Sequence, residues 1–170
     1  HGMPAGLHAD WNDCLQLGAQ GESSFVAFQF YWAMQLLNEL LPETAENAEY
    51  KQWLNENADA QLKLINEHFW EDDRFRRGYT QDGAVIGSKQ DPEAAMWLNP
   101  QSWCVISRAA TADQAEKSME TVHRLLNTPN GIELLRTMKG PRSARWSPTC
   151  IPSSSKAMKR RSPAAPTCIG

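Results

Sequence analysis

Two apolar stripes at helical spacing, separated by a short Pro-containing turn, constrain this chain more than any other feature. The first comprises Phe25, Phe28, Tyr31, Trp32, Leu36 and Leu40. It predicts a deeply buried helix that starts from a Ser23 or Ser24 cap and runs to about Leu41, with Pro42 ending it. The second, Tyr50, Leu54, Ala58, Leu62, Ile65 and Phe69, predicts a helix from Ala45 to Phe69 with one buried and one charged face. Long helices joined by so short a turn pack antiparallel, which is the repeating unit of an α/α barrel. A helical row of Phe, Tyr and Trp reads as core before it reads as a sugar platform.

Later segments add smaller elements. Arg74 to Thr80 and Ala84 to Ser88 flank Gln81-Asp82-Gly83, a turn signal that predicts a short β-hairpin. Its Arg74, Arg76 and Arg77 are expected to be solvated on an exposed hairpin, and so stay outside the site. Asn99-Pro100 predicts a helix start with Pro at the first helical position. Gln101 and Trp103 then begin a buried helix, as packing residues rather than sugar contacts. Thr111 and Gln114 form a capping box for a helix bearing Ala115, Met119, Val122 and Leu126.

The opening run, HGMPAGLHADWNDCL, carries the densest chemistry. It shows no helical period, so Ala9 to Cys14 is expected to be extended or irregular. In an extended chain Trp11 and Asp13 project to one face and Asp10 and Asn12 to the other. An indole beside a carboxyl suits a pyranose: the ring's axial C–H groups pack on the aromatic plate, and an acid near the glycosidic oxygen protonates the leaving group. Such an acid needs its pKa raised by apolar surroundings or a second carboxylate, roles open to Trp11 and Asp10. The commoner use of an Asp-x-x-Asp is structural, capping a segment or closing an Asx turn. Spacing alone leaves both readings open.

Charge and cysteines narrow the classes. Residues 1–135 hold 9 Lys/Arg and all 20 Asp/Glu, whereas residues 136–170 hold 8 Lys/Arg and no acid. The acidic body argues against a nucleic-acid partner, and no stretch is apolar enough to cross a membrane. Cys14, Cys104, Cys150 and Cys168 have no close metal-ligand spacing; Cys14 and Cys104, beside apolar residues, read as small buried thiols in a reducing cytoplasm. Nothing fixes a metal geometry among His1, His8, Asp13 and Cys14, so neither a metal nor a cofactor is expected.

Several separated strings decide between the readings of the opening run. HGMPAGLHADWNDCLQLG, GESSFVAFQFYWAM, WEDDRFRRGYTQDGAVIGSKQDPEAAMWLNPQSWCVIS and LNTPNGIELL together resemble the inverting disaccharide phosphorylases of glycoside hydrolase family 94. That resemblance implies a mainly α chain, a fragment of an (α/α)6 barrel with a short β-hairpin and an irregular C-terminal tail. It implies Asp13 as general acid, Trp11 as a wall of the sugar site and Asp10 as a supporting substrate-site residue. The implied reaction is reversible phosphorolysis of a β-linked, cellobiose-like glucose disaccharide to α-glucose 1-phosphate and glucose, with inorganic phosphate as co-substrate. One acid suffices, because phosphate is already a nucleophile and needs no base to activate it. A cytoplasmic parent protein, compatible with a homodimer, completes the expectation. The alternatives are a non-catalytic helical carbohydrate-binding module and an (α/α)6 glycoside hydrolase.

The chain opens on His1 inside a motif, without an initiator methionine or signal-peptide pattern, and reads as an internal fragment: a partial catalytic domain over 1–135 and a basic tail over 136–170. The fragment alone is expected to be inactive, with the family's phosphate site missing from it. In the tail Ser, Pro, Lys and Arg dominate without period. Loss of the reading frame explains the abrupt change better than a basic nucleic-acid or membrane tail does. Sequencing the encoding DNA is therefore expected to reveal a phosphorylase-like continuation in another frame; its absence would leave a genuine tail.

Overall fold

The computed structural model describes residues 1–6, 10–12, 15–91 and 94–136. In chain order the elements are β1 (Glu22–Ser23), α1 (Ser24–Leu40), α2 (Ala45–His68), β2 (Trp70–Glu71), β3 (Arg74–Phe75), β4 (Gly78–Tyr79), β5 (Val85–Ile86), β6 (Met96–Trp97), α3 (Leu98–Ile106), α4 (Ala112–Leu126), β7 (Asn127–Thr128), β8 (Gly131–Ile132) and β9 (Leu135–Arg136). Four helices dominate, so the chain is mainly α, as its periodicity predicts. The predicted tail from residue 137 onward lies outside the described residues, and β9 pairs antiparallel with β6.

Ser23 begins α1 by accepting from the Val26 N–H, and Thr44 begins α2 by accepting from the Asn47 N–H. Between them Leu41 turns extended ahead of Pro42, and the two helices run back antiparallel. Asn38 Nδ2 donates to Asn55 Oδ1 at 2.9 Å and Lys51 Nζ to the Leu41 carbonyl at 3.1 Å, closing the turn end of the pair. Phe28, Tyr31 and Met34 of α1 meet Leu54, Ala58 and Ile65 of α2 in the main core, with Phe69, Phe75 and Cys104 beneath. Burial of α1 is less deep than its stripe suggests. Met34 takes an inner position while Leu40, the last residue of α1, is 78% exposed. Tyr50 is likewise exposed, stacking on Trp53 of its own helix at 5.8 Å with rings 9° apart.

The helix after Trp97 begins earlier than its Asn-Pro signal implies. β6 runs directly into α3, and the Leu98 N–H is satisfied by the Leu134 carbonyl at 2.8 Å, so helical geometry starts at Leu98. Pro100 then occupies the third helical position, still within the first turn, where an N–H has no intrahelical partner. The capping box of α4 forms as predicted, with Gln114 N–H donating to Thr111 Oγ1 at 3.2 Å and the Thr111 N–H to Gln114 Oε1 at 2.9 Å. Its buried face is Ser118, Thr121, Val122 and Leu126; Met119, expected inside, is partly exposed.

The predicted hairpin is β4 with β5, its turn closed by Thr80 N–H to the Ala84 carbonyl at 2.9 Å. Sequence reasoning did not anticipate that β1 adds a third strand, in the order β1-β4-β5. That makes β4 a central strand and buries its Gly78 and Tyr79, while the turn and Val85 stay exposed as expected of a hairpin. Gly78 permits the pairing: a Cβ there would stand 2.5 Å from the Glu22 carbonyl oxygen. Gly78→Ala is therefore expected to destabilise the chain by about 1–3 kcal/mol through overpacking. Gly83→Ala, at φ +82 with open space around it, is expected to cost only about 1 kcal/mol. Urea midpoints followed by circular dichroism rank the two; equal costs would mean that the β1–β4 contact is not tight.

Candidate active site

Both feet of the acid-rich loop are tied to the three-stranded sheet. Upstream, the Gly6 N–H donates to the Gly21 carbonyl at 2.9 Å and Ala5 bridges Glu22. Downstream, the Gln81 N–H donates to the Leu17 carbonyl at 2.8 Å, and Leu15 and Leu17 are buried with Ile86, Ala94 and Trp97. Leu15 N–H also donates to the Asn12 carbonyl at 2.8 Å, joining the two described residues that flank Asp13 and Cys14. Asp13, His8 and Cys14 lie outside the described residues.

Asp10 and Trp11 form a bend instead of the extended alternation predicted for them. The bend turns Asp10 inward, 5% exposed, and Trp11 outward, 60% exposed. Asp10 Oδ1 accepts the Asn12 N–H at 3.0 Å, an Asx turn, and also receives Arg77 Nη2; its Oδ2 accepts from Ser23 Oγ at 2.5 Å. The local turn competes successfully with extended geometry because both carboxylate oxygens find donors at once.

Arg77 is the correction to the sequence reading. Expected in solvent with Arg74 and Arg76, it is 0% exposed, and Arg74 is buried as well. The third strand explains the burial of Arg77, since β1 and α1 close over one side of its segment and β5 over the other, whereas Arg74 lies on β3, outside that sheet. Arg77 Nη1 donates to Ser23 Oγ at 2.8 Å, and its guanidinium lies 5.8 Å from the Phe25 ring and 5.5 Å from the Trp97 ring. Arg74 donates to Asp73 Oδ1 at 2.9 Å and the Ala95 carbonyl at 3.1 Å; Arg76 donates to the His68 carbonyl and to Tyr79 Oη. Sequence carries no local signal for this burial, because strand pairing between residues 22 and 79 is what creates it.

Electrostatics follow from the same contacts. Burial by itself would raise the Asp10 pKa, but Arg77, Ser23 and the Asn12 N–H outweigh it and hold the carboxyl below its ordinary range. Asp10 therefore stays ionised at neutral pH and is no proton donor. Burial also lowers the Arg77 pKa, opposed by Asp10. Cys104 is pushed up to about 12 by burial, so it is an inert thiol.

A second cluster borders the first. Glu22 Oε2 lies 2.5 Å from His1 Nδ1 and its Oε1 accepts the Met3 N–H at 3.2 Å, while the His1 ring packs 4.4 Å from His68 and 4.3 Å from Tyr79. Gln101 and Trp103 are packing residues, as predicted. The Gln101 amide clasps the Phe75 backbone, accepting its N–H at 2.8 Å and donating to its carbonyl at 2.8 Å; Trp103 meets Phe25 edge-on at 5.6 Å.

Asp10→Asn leaves Arg77 buried without a charge partner and is expected to cost about 3–5 kcal/mol at pH 6. Because the folded-state pKa of Asp10 is depressed, its contribution is present above its ordinary value of 3.8 and is lost as pH falls through the lowered one. Urea titrations at pH 6 and in the acid range should therefore show a smaller loss of stability on acidification in the variant than in the native chain. An unchanged pH slope would contradict the assigned pair.

The chain matches the sequence model of the Glycosyl hydrolase 94 superfamily, catalytic domain, over residues 1–144. It is 34% identical over 128 residues to a cellobionic acid phosphorylase of Neurospora crassa, covering 74% of this chain and 16% of that protein. It is 34% identical over 135 residues to an N,N'-diacetylchitobiose phosphorylase of Vibrio furnissii, covering 78% and 17%. A solabiose phosphorylase of Paenibacillus borealis is 28% identical over 134 residues, covering 77% and 17%. The chain thus spans 16–17% of the length of these relatives.

Proposed function

The chain belongs to the glycosyl hydrolase 94 superfamily, and from that premise we propose that it is the acid-bearing segment of a longer inverting disaccharide phosphorylase. The observation that carries the reading is where the structure puts Asp10 and Trp11 within the motif Ala9-Asp10-Trp11-Asn12-Asp13. Asp10 is buried and held ionised by Arg77, while Trp11 is displayed outward on the bend that Asp10 anchors. Asp13 is then the carboxyl of the motif left to carry a proton, as paired carboxylates in glycosidic chemistry commonly take different roles.

In the proposed reaction a phosphate oxygen attacks the anomeric carbon from the face opposite the glycosidic bond. The C–O bond to the leaving sugar breaks, and Asp13 passes its proton to the departing oxygen. The products are an α-sugar 1-phosphate and the free second sugar; in reverse, the Asp13 carboxylate takes the proton back from the attacking hydroxyl. Trp11 supplies the apolar wall for the donor ring, and Asp10 supports the loop without touching the proton. No cofactor enters this scheme.

The donor is proposed to be β-linked glucose in a cellobiose-like disaccharide. The relatives' names span cellobionic acid, diacetylchitobiose and solabiose, which supports a disaccharide as the substrate class. The antiparallel pair α1–α2 and the neighbouring α3 and α4 are read as part of an (α/α)6 barrel. Apolar side chains left at the surface, Phe30, Leu37, Leu40, Val105 and Ile106 among them, suit a segment with further neighbours in a longer protein. A cytoplasmic homodimer is the proposed setting; among the described residues no helix is long and apolar enough to cross a membrane.

Asp13→Asn in the full-length protein tests the reading. Phosphate-dependent release of sugar 1-phosphate is expected to fall about 10²–10⁴-fold in kcat, with KM for the disaccharide nearly unchanged. Full activity in the variant, or incorporation of isotope from labelled water into the released donor sugar in place of phosphate, would overturn it.

A further inference from the structure

The Arg77 side chain touches three parts of the fold that are far apart in sequence. Its backbone belongs to the central strand segment: the N–H donates to the Ile86 carbonyl at 2.8 Å, and the carbonyl accepts the Ser24 N–H at 3.1 Å and Ser24 Oγ at 2.9 Å. Its guanidinium, 5.8 Å from the Phe25 ring and 5.5 Å from the Trp97 ring, holds Ser23 and Asp10 simultaneously. Ser23 is at once the end of β1 and the cap of α1, so the fork ties the loop to a strand and a helix start together. We infer that Arg77 is a positioning residue for leaving-group protonation, acting through Asp10 to set where the Trp11 bend and the acid that follows it stand relative to the substrate.

This inference rests on the proposed role of Asp13. In sequence the acid follows directly on Trp11 and Asn12, so a side chain that holds the Asp10 bend acts on the segment that leads into it. The Leu15 N–H to Asn12 carbonyl contact holds Asn12, at the end of that bend, to the downstream chain. A planar fork suits the task because one guanidinium satisfies two acceptors in a rigid geometry, which an ammonium on a flexible stem cannot reproduce. The Phe25 and Trp97 rings lie beside the guanidinium, within cation–π range. Loop placement is thereby coupled to the most buried cation among the described residues in addition to the loop's own contacts. A displacement of about 1 Å at a reacting group costs on the order of a hundredfold in rate, so such a coupling is chemically significant.

The test compares two donors in the full-length enzyme: the disaccharide, whose leaving oxygen needs a proton, and the β-glycosyl fluoride of the same donor sugar. With the fluoride, phosphate forms the new C–O bond while fluoride departs with the C–F electron pair, and no proton is required. Arg77→Lys is expected to lower kcat for the disaccharide about tenfold to a hundredfold with little change in KM, while changing the fluoride reaction less than about threefold. Asp10→Asn is expected to show the same selectivity.

Equal losses on both donors would overturn the inference, and so would the failure of both variants to fold, since Arg77 would then serve the whole fold and not the loop. Asp13→Asn, run in parallel, separates the two levels. If it spares disaccharide turnover, the general-acid reading falls. If it shows the donor selectivity and Arg77→Lys does not, only the positioning role falls.

Discussion

A single buried ion pair, Arg77 with Asp10, holds together the parts of this structure that share no neighbouring sequence. Removing both charges from water carries a large penalty, and a buried pair is on average a poor source of net stability. Here the penalty is offset in part by donors to the carboxylate: Asp10 receives Arg77, the Ser23 hydroxyl and the Asn12 N–H. Arg77 has the Phe25 and Trp97 rings beside its guanidinium, while its buried Nε has no hydrogen-bond partner among the described residues. What the pair contributes is uniqueness of arrangement: either charge left alone in that interior would be so costly that the loop, strand and helix start are obliged to meet.

The neighbouring geometry is arranged to make that meeting possible. Gly78 lets β1 approach β4 closely enough to close the sheet, and Gly87, at φ +76, keeps a Cβ from standing 2.7 Å from the Arg77 backbone nitrogen. Ser23 ends a strand, caps a helix and bonds both members of the ion pair. Consequently the electrostatic state of the loop and the packing of the helical core are not separable. Arg77, which holds Asp10 ionised, also stands beside the Phe25 ring at the start of α1. Asp10 is thereby neutralised by a buried guanidinium, and the proposed mechanism leaves the proton to the second carboxyl of the motif.

Legibility in the sequence followed the range of the interactions. The helices from Ser24 and from Ala45, the Thr111 capping box and the Gln81-Asp82-Gly83 turn were readable because each depends on residues within a turn or two of one another. Where prediction and structure part, a distant contact intervened. Leu98 became the helix start because Leu134 took its N–H, and Tyr50 stayed outside because nothing beyond its own helix covers it. The burial of Arg74 and Arg77 had no local signature at all, since charged residues beside a turn ordinarily face water.

By itself the amino-acid sequence determined the mainly helical character, the principal helix ends and the family, because periodicity, capping and motif strings are local and additive. Tertiary structure alone decided that Arg77 is interior, that Asp10 is its partner and that Trp11 is the side chain displayed. Those outcomes depend on pairing Glu22 with Tyr79, across more than fifty residues of intervening chain. The physical reason is that burial of charge is a property of the assembled surroundings: a carboxylate and a guanidinium distant in sequence reveal nothing of one another until backbone pairing removes the water between them.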